Sequence, residues 1–245
     1  MGHQRRSRIM TQTAPIAPPA RIVVFGATGT TGKEVLKQGV ARGYEMVGVD
    51  LGGDDALPEG AVQVDANVLE DDLTRVMYGA SAVISCLGVG NAIATLIDPP
   101  PLYSTGTERI VQAMQGAGVS RIVVISATFV AANDRGPLLF RLGTAPALHN
   151  VLEQMEEMER MLAASPLDWT AVRPGWLMAG EKTGGLVVQE GEIAEGLIRT
   201  RHADLAGFML DCVEQGIWSR AYPAPARKED EEAESNAEVL KAMMA

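Results

Sequence analysis

Residues 21–42 constrain the fold more tightly than any other stretch of the chain. The run Arg21-Ile-Val-Val-Phe25 is apolar at every position after the first, as in a strand buried on both faces. It passes without a linker into Gly26-Ala-Thr-Gly29-Thr-Thr-Gly32, and a helical pattern opens within that turn and continues over 31–42. A strand that feeds a helix this directly reaches its next parallel neighbour by a right-handed crossover. The segment therefore dictates a βαβ unit.

The same rhythm repeats downstream. Strands are predicted at 45–49, 62–64, 82–86, 121–125 and 169–172, and helices over 71–78, 103–117 and 147–164. Strands that are apolar on both faces need helices on either side of a parallel sheet, so the fold class is α/β, a Rossmann-type doubly wound parallel sheet. Past Pro174 the rhythm loosens into a glycine-rich loop, a small strand at 186–188, a helix near 202–212 and an extended pair at 221–222. These elements, about 175–223, form a small C-terminal subregion within one domain spanning 21–226. Residues 1–20, with Pro15, Pro18 and Pro19, read as a disordered N-terminal extension. Residues 227–245, led by Glu229, Asp230, Glu231 and Glu232, read as a solvated acidic tail.

Charge and cysteine usage narrow the partners. With 21 basic against 31 acidic side chains the formal net charge is −10, which repels phosphate backbones and anionic membrane surfaces. Neither nucleic acid nor membrane is an expected partner; a small molecule is, in a monomer or homodimer. Cys86 and Cys212 are too few and too distant in sequence for a disulfide framework or zinc site, and no metal-ligand spacing stands out. A secretory h-region and a membrane-length apolar run are both lacking, so a cytoplasmic location is expected.

The glycine turn carries the chemistry. Gly26 permits the tight turn, Gly29 lets backbone approach a diphosphate, and Gly32 lets helix and sheet come close; Thr28, Thr30 and Thr31 complete the loop. The free N–H groups and partial positive charge of the helix start would meet the phosphates. No Gly-Lys-Ser/Thr ends the turn, so it is not a P-loop. Some twenty residues on, the second strand ends at Asp50, a carboxylate suited to ribose hydroxyls and repulsive to a 2′-phosphate. Leu51, Gly52, Gly53, Asp54 and Asp55 follow, where NADP-binding turns usually place Arg or Lys. NAD(H) is expected in preference to NADP(H). The other reading of Asp50 is that it caps a loop and that an arginine from elsewhere, such as Arg42, accommodates the 2′-phosphate.

With these residues stated, the chain resembles the atypical short-chain dehydrogenase/reductase superfamily, in the NmrA-like branch that includes biliverdin-IXβ/flavin reductase. The resemblance rests on the glycine turn, Gly43-Tyr44-Glu45, Asp65, Leu87-Gly88 and Val124-Ile-Ser126-Ala127. It continues through Leu167-Asp-Trp-Thr-Ala-Val-Arg173-Pro174-Gly175 and His202-Ala-Asp-Leu-Ala-Gly-Phe-Met-Leu210. It implies that Asp65 and Ala66 lie by the adenine, and that Cys86, Leu87 and Gly88 line the ribose and diphosphate path. It further implies that Ser126 and Ala127 flank the nicotinamide ribose, and that Pro174, Gly175 and Trp176 close over the nicotinamide, with Trp176 facing substrate. Cys86 itself reads as an apolar strand residue rather than a nucleophile.

The Tyr-x-x-x-Lys dyad of that superfamily would fall on Val151 and Met155, and the histidines of the flavin reductase branch on Met155 and Glu159. The remaining proton-transfer candidates are Ser126, Tyr103 and His149, although a helix-start role suits His149 better. Glu153, Glu156, Glu157 and Glu159 read as a solvated helix face, while Met155, Met158 and Leu162 form a core stripe. His202 and Asp204 read as a helix N-terminal turn rather than a metal pair. Long connections at 87–102 and 128–146 should shape an apolar substrate pocket with Phe129, Leu138, Phe140 and Trp176. The leading expectation is an NAD(H)-dependent oxidoreductase that transfers a hydride to or from a small hydrophobic molecule of flavin, quinone, enone or polycyclic type. A redox-neutral isomerase or dehydratase with tightly held NAD, and a catalytically silent dinucleotide sensor, stay open beside it.

Overall fold

A computed structural model describes residues 12–52, 56–89, 95, 98–131 and 145–230. Its centre is a six-stranded, all-parallel sheet in the order β3-β2-β1-β4-β5-β6. The strands are β1 (Arg21–Phe25), β2 (Glu45–Asp50), β3 (Val62–Asp65), β4 (Ala80–Ser85), β5 (Arg121–Ile125) and β6 (Asp168–Val172). The order reverses between β1 and β4, which opens a crevice at the carboxyl ends of those strands.

Period-2 alternation divides the core. Ile22 and Val24 of β1 pack on one side with Val35, Leu36, Leu205 and Met209. Val23 and Phe25 pack on the other with Ile110, Met114, Met158 and Leu162. The first layer holds α1 (Thr30–Ala41) and a late helix (His202–Glu214), called α5 below. The second holds α2 (Thr74–Met77), α3 (Thr107–Ala117) and α4 (Ala145–Ala164). Met155, Met158 and Leu162 are buried, so the stripe on α4 is core as expected.

Three expectations about elements need correction. The helix expected over 71–78 is only the four-residue α2. Side chains of Asn67, Asp71 and Asp72 take the N–H groups of Leu69, Asn67 and Thr74 and favour turns over a continuous helix. The helix expected over 103–117 begins as a π-turn at Leu102–Gly106 before α3. The C-terminal subregion contains β7 (Trp176–Met178), β8 (Val187–Glu190), β9 (Arg199–Arg201) and β10 (Pro223–Ala226), paired as β7-β9 parallel and β8-β10 antiparallel. The three-residue β7 and β9 show no alternation a sequence could reveal, and they exist by pairing with each other.

Both ends are better ordered than expected where they are described. Thr13 N–H bonds to the Gly216 carbonyl (2.8 Å), and the Tyr44 hydroxyl donates to the Ile16 carbonyl (2.7 Å), which docks the lead-in onto the α1–α5 layer. Glu229, expected in the solvated tail, has only 3% of its side chain exposed and pairs with Arg201 (2.7 Å) and Arg227 (3.1 Å). Residues 1–11 and 231–245 lie outside the described residues.

Candidate functional site

At the switch point between β1 and β4 lies a cleft of about 810 Å³, within the usual size of a small-molecule or cofactor site. Its floor is the glycine turn. Gly26 has φ +70°, and a Cβ there would overlap the Cys86 carbonyl at the end of β4. A Cβ on Gly32 would overlap the Gly26 carbonyl, so the loop folds back on the start of α1 only with glycine at both places. Gly29 N-caps α1 without a side-chain cap. The first bond of the helix runs from Lys33 N–H to the Gly29 carbonyl (2.9 Å), so the N–H groups of Thr30, Thr31 and Gly32 precede the intrahelical ladder. Thr30 and Thr31 line the cleft. An open helix start above a close-packed glycine cradle is the arrangement that accepts a diphosphate.

At the β2 end the Asp50 carboxylate lines the cleft and already has work to do. One oxygen accepts from both the Thr28 N–H (2.9 Å) and the Thr28 hydroxyl (2.7 Å), and the other accepts from Leu51 N–H (2.9 Å). It therefore does cap the loop, with about one lone pair left unused, and it also lines the cleft. Leu51 also borders the cleft and is 71% exposed. Beyond β3, Ala66 lines the cleft together with Asn67, which sequence reasoning missed. The Asp65 carboxylate does not line it: Asp65 is exposed and accepts from the Gln63 amide (3.0 Å).

Cys86, Leu87, Gly88, Ala127, Pro174, Gly175 and Trp176 all border the cleft. Burial pushes the Cys86 thiol up to about 12, which makes it an inert apolar group rather than a nucleophile. Trp176 packs on Phe129 with ring centroids 5.0 Å apart. Leu148, Val151, Leu152 and Met155 project from α4 into the same region and form an apolar wall. Leu138 and Phe140, expected in this wall, lie outside the described residues.

The three proton-transfer candidates separate clearly. Tyr103 is buried on the π-turn and lines the cleft; burial raises its phenol above the usual range, against a hydrogen bond with the Val89 backbone. Ser126 also lines the cleft, but its hydroxyl donates to Glu159 Oε1 (2.7 Å). His149 does not reach the cleft. It is 67% exposed and faces Glu153 one turn on (3.1 Å), because the cleft-facing positions of α4 are 148, 151, 152 and 155. Glu159 is likewise not on a solvated face. It is buried, and its carboxylate receives Arg173 Nε (2.9 Å) and Nη2 (2.5 Å) as well as Ser126. The Arg173 guanidinium also lies over the Tyr222 ring, 4.3 Å from its centroid.

One imidazole does reach the cleft, and it is His202 at the start of α5. Its Nδ1 lies 2.7 Å from the Thr31 hydroxyl. Burial lowers its basicity, partly offset by Glu34. No periodicity or spacing marks this residue in the sequence, since only the packing of α5 on α1 brings it to the glycine turn. Among the described residues no cluster of three or more His, Cys, Asp or Glu is arranged to hold a metal, and no helix is long and apolar enough to cross a membrane.

A model of NAD(P)H-binding proteins matches residues 26–216, from the first glycine of the turn to the end of the α5 region. The chain belongs to the NAD(P)H-binding family. Among curated proteins it is 26% identical over 194 residues to an uncharacterized chloroplastic protein of Arabidopsis thaliana, covering 73% of this chain and 69% of that one. It is 28% identical over 178 residues to the 3-diazoavenalumate denitrifying reductase of a Streptomyces species, covering 67% of this chain and 58% of the reductase. Among solved structures, a protein from Streptococcus pneumoniae described as an NADH-flavin reductase superposes with a TM-score of 0.69 at 21% identity, covering 85% of this chain and all of that one (100%). The NAD(P)H-binding assignment agrees with the short-chain dehydrogenase/reductase resemblance and with a nicotinamide dinucleotide as cofactor. The glycine cradle and the open start of α1 fit that group.

Proposed function

We propose that the protein is an NAD(H)-dependent oxidoreductase that passes a hydride to or from a small hydrophobic organic molecule. The observation that carries this reading is the continuity of one cleft from the glycine cradle to an apolar wall of Leu148, Val151, Leu152, Met155 and the Phe129–Trp176 pair. The dinucleotide, when bound, supplies the hydride chemistry, and the protein supplies position and a dry surface.

Each polar residue then has a limited task. Thr30, Thr31 and Gly32 N–H groups would hold the diphosphate. Asp50, followed by Leu51 rather than a cation, would accept from ribose hydroxyls and disfavour a 2′-phosphate, which supports NAD(H) over NADP(H). Because the Ser126 proton is committed to Glu159, the oxygen of Ser126 is left to accept, so it orients a bound group and does not protonate one. Tyr103 keeps its phenol proton and, of the three proton-transfer candidates, is the one left to donate from the cleft wall. The 20 residues of α4 include neither Tyr nor Lys, and Val151 and Met155 are the residues that the resemblance aligns with the familiar dyad. Acceptors that need little help with protonation, such as flavins, quinones or conjugated enones, suit this site. The reductase names of the Streptomyces and pneumococcal relatives support the same class.

The test is to incubate purified protein with NADH and a panel of flavin, quinone and enone acceptors and follow loss of reduced-nicotinamide absorbance. Turnover with at least one apolar acceptor, faster with NADH than NADPH, is expected. Cofactor binding without turnover across the panel would refute the oxidoreductase reading.

A further inference from the structure

We propose that His202 is a cofactor-binding residue whose imidazole takes up a proton from solvent when the dinucleotide diphosphate enters the cleft. This rests on the dinucleotide reading above and adds a residue and a proton to it.

The placement begins with the packing of α5 against α1. Gln38 donates to the Ala203 carbonyl (2.8 Å), and Arg42, which caps the end of α1, bridges Asp211 (2.7 Å) and Glu214 (2.6 Å) on α5. These contacts align the starts of the two helices, and Thr31 and His202, each in its helix's first turn, meet there. Thr31 is buried and belongs to the diphosphate turn, so the ring held by its hydroxyl stands beside that turn. His202 lines the cleft, and among the described residues its Nε2 has no protein partner. One nitrogen is thus fixed and the other is left for a ligand.

The Thr31 hydroxyl makes the arrangement reversible. It donates to Nδ1 when the ring is neutral and accepts from Nδ1–H when the ring is protonated, so the ring need not move. In either state Nε2–H can donate to an anion. The charged groups around the ring leave room for such a change. Glu34 on α1 is the acidic group that favours the cation, Lys182 is turned to Gln38, and Arg201 is paired with Glu229. Asp204, two residues along α5, is held by Thr183, Gly184 and Arg227, and Asp50 across the cleft is held by Thr28 and Leu51. Without ligand, burial keeps the ring below the ordinary histidine range and neutral at neutral pH. A diphosphate at the helix start raises it. The affinity it adds is therefore complete below the value of the free protein and is lost as pH rises through the value of the complex.

The probe is ADP-ribose, which carries the diphosphate without redox chemistry and has no phosphate group titrating in the range used. Calorimetric titration of the whole chain in two buffers of different ionisation enthalpy, between about pH 6 and about pH 8.5, reads both affinity and proton uptake. Wild-type protein should take up a fraction of a proton and lose affinity by about threefold to fivefold across that range, part of the tenfold that one unit of differential pKa gives over its full span. H202Q should bind several-fold more weakly at the acid end, with a flat profile and no uptake. Adenosine, which lacks the diphosphate, should show neither effect.

Because the chain has only three histidines, the His202 ring can also be titrated by NMR in the wild-type protein, where its pKa should rise when ADP-ribose is added. An unmoved titration, or uptake that persists in H202Q, would overturn the proposal while leaving dinucleotide binding intact. Failure of wild-type protein to bind ADP-ribose at all would overturn the cofactor reading and this proposal with it.

Discussion

Replacing Arg173 by Met tests the network beneath Ser126. The Arg173–Glu159 pair is bidentate, with 12% and 5% of the side chains exposed, so neither solvent nor salt screens it appreciably. Removing the guanidinium leaves the Glu159 carboxylate buried with the Ser126 hydroxyl as its one remaining partner from that network. Breaking a buried pair in this way costs about 3–5 kcal/mol. For a domain of this size, about 2–4 °C of Tm per kcal/mol converts that cost to a drop of roughly 6–20 °C. The double variant R173M/E159L removes the orphaned charge as well. Apolar replacement of a whole buried pair is often neutral; beyond the pair, the double variant loses the acceptor of Ser126, worth about 1 kcal/mol, and, like R173M itself, the Arg173 bond to the Gly191 carbonyl and its stack on Tyr222. It should therefore be more stable than R173M alone. Urea and thermal unfolding followed by circular dichroism measure both variants. A loss below about 1 kcal/mol in R173M, or a double variant less stable than the single, would show that the carboxylate is not held as described.

Further outcomes follow from the cleft. Tyr103→Phe should lower kcat by roughly 100-fold for acceptors that require a proton and leave KM nearly unchanged; equal loss with acceptors that require none would argue for a packing role instead. Replacing Asp50 by Ser together with Leu51 by Arg should shift the ratio of NADH to NADPH affinity toward NADPH by about tenfold or more, measured by fluorescence titration. Gly26→Ala should weaken dinucleotide binding and destabilise the fold, by about 1–2 kcal/mol from the left-handed backbone alone with the overlap at Cys86 added; unchanged Kd and Tm would contradict the cradle geometry. Cys86 and Cys212 are both raised to about 12 by burial, so at pH 8 only about one thiol in ten thousand is ionised. Ellman's reagent should label neither until the chain is denatured.

The parallel sheet was legible because its evidence is local. Five residues of β1, a glycine turn and a helix start are contiguous, and each of them carries its own backbone requirement. The same holds for the core stripe Met155, Met158 and Leu162 on α4. Glu159 was misread for the converse reason. A glutamate among Glu153, Glu156 and Glu157 looks solvated until Arg173 arrives from the end of β6 and Ser126 from the end of β5. His149 was overvalued by the same logic, since its position on α4 says nothing of which way the helix is turned toward the cleft. His202 was undervalued, because Thr31 stands 171 residues away in the chain.

The sequence by itself determined the α/β architecture, the glycine turn and the carboxylate at the end of β2, because strand, turn and helix propensities act over a few neighbouring residues. Only the tertiary structure decided which side chains of α4 and α5 enter the cleft, which charges are paired out of water, and which hydroxyl keeps its proton. Those outcomes depend on the rotation and packing of whole helices across the sheet, where one residue's environment is set by partners far away in the chain.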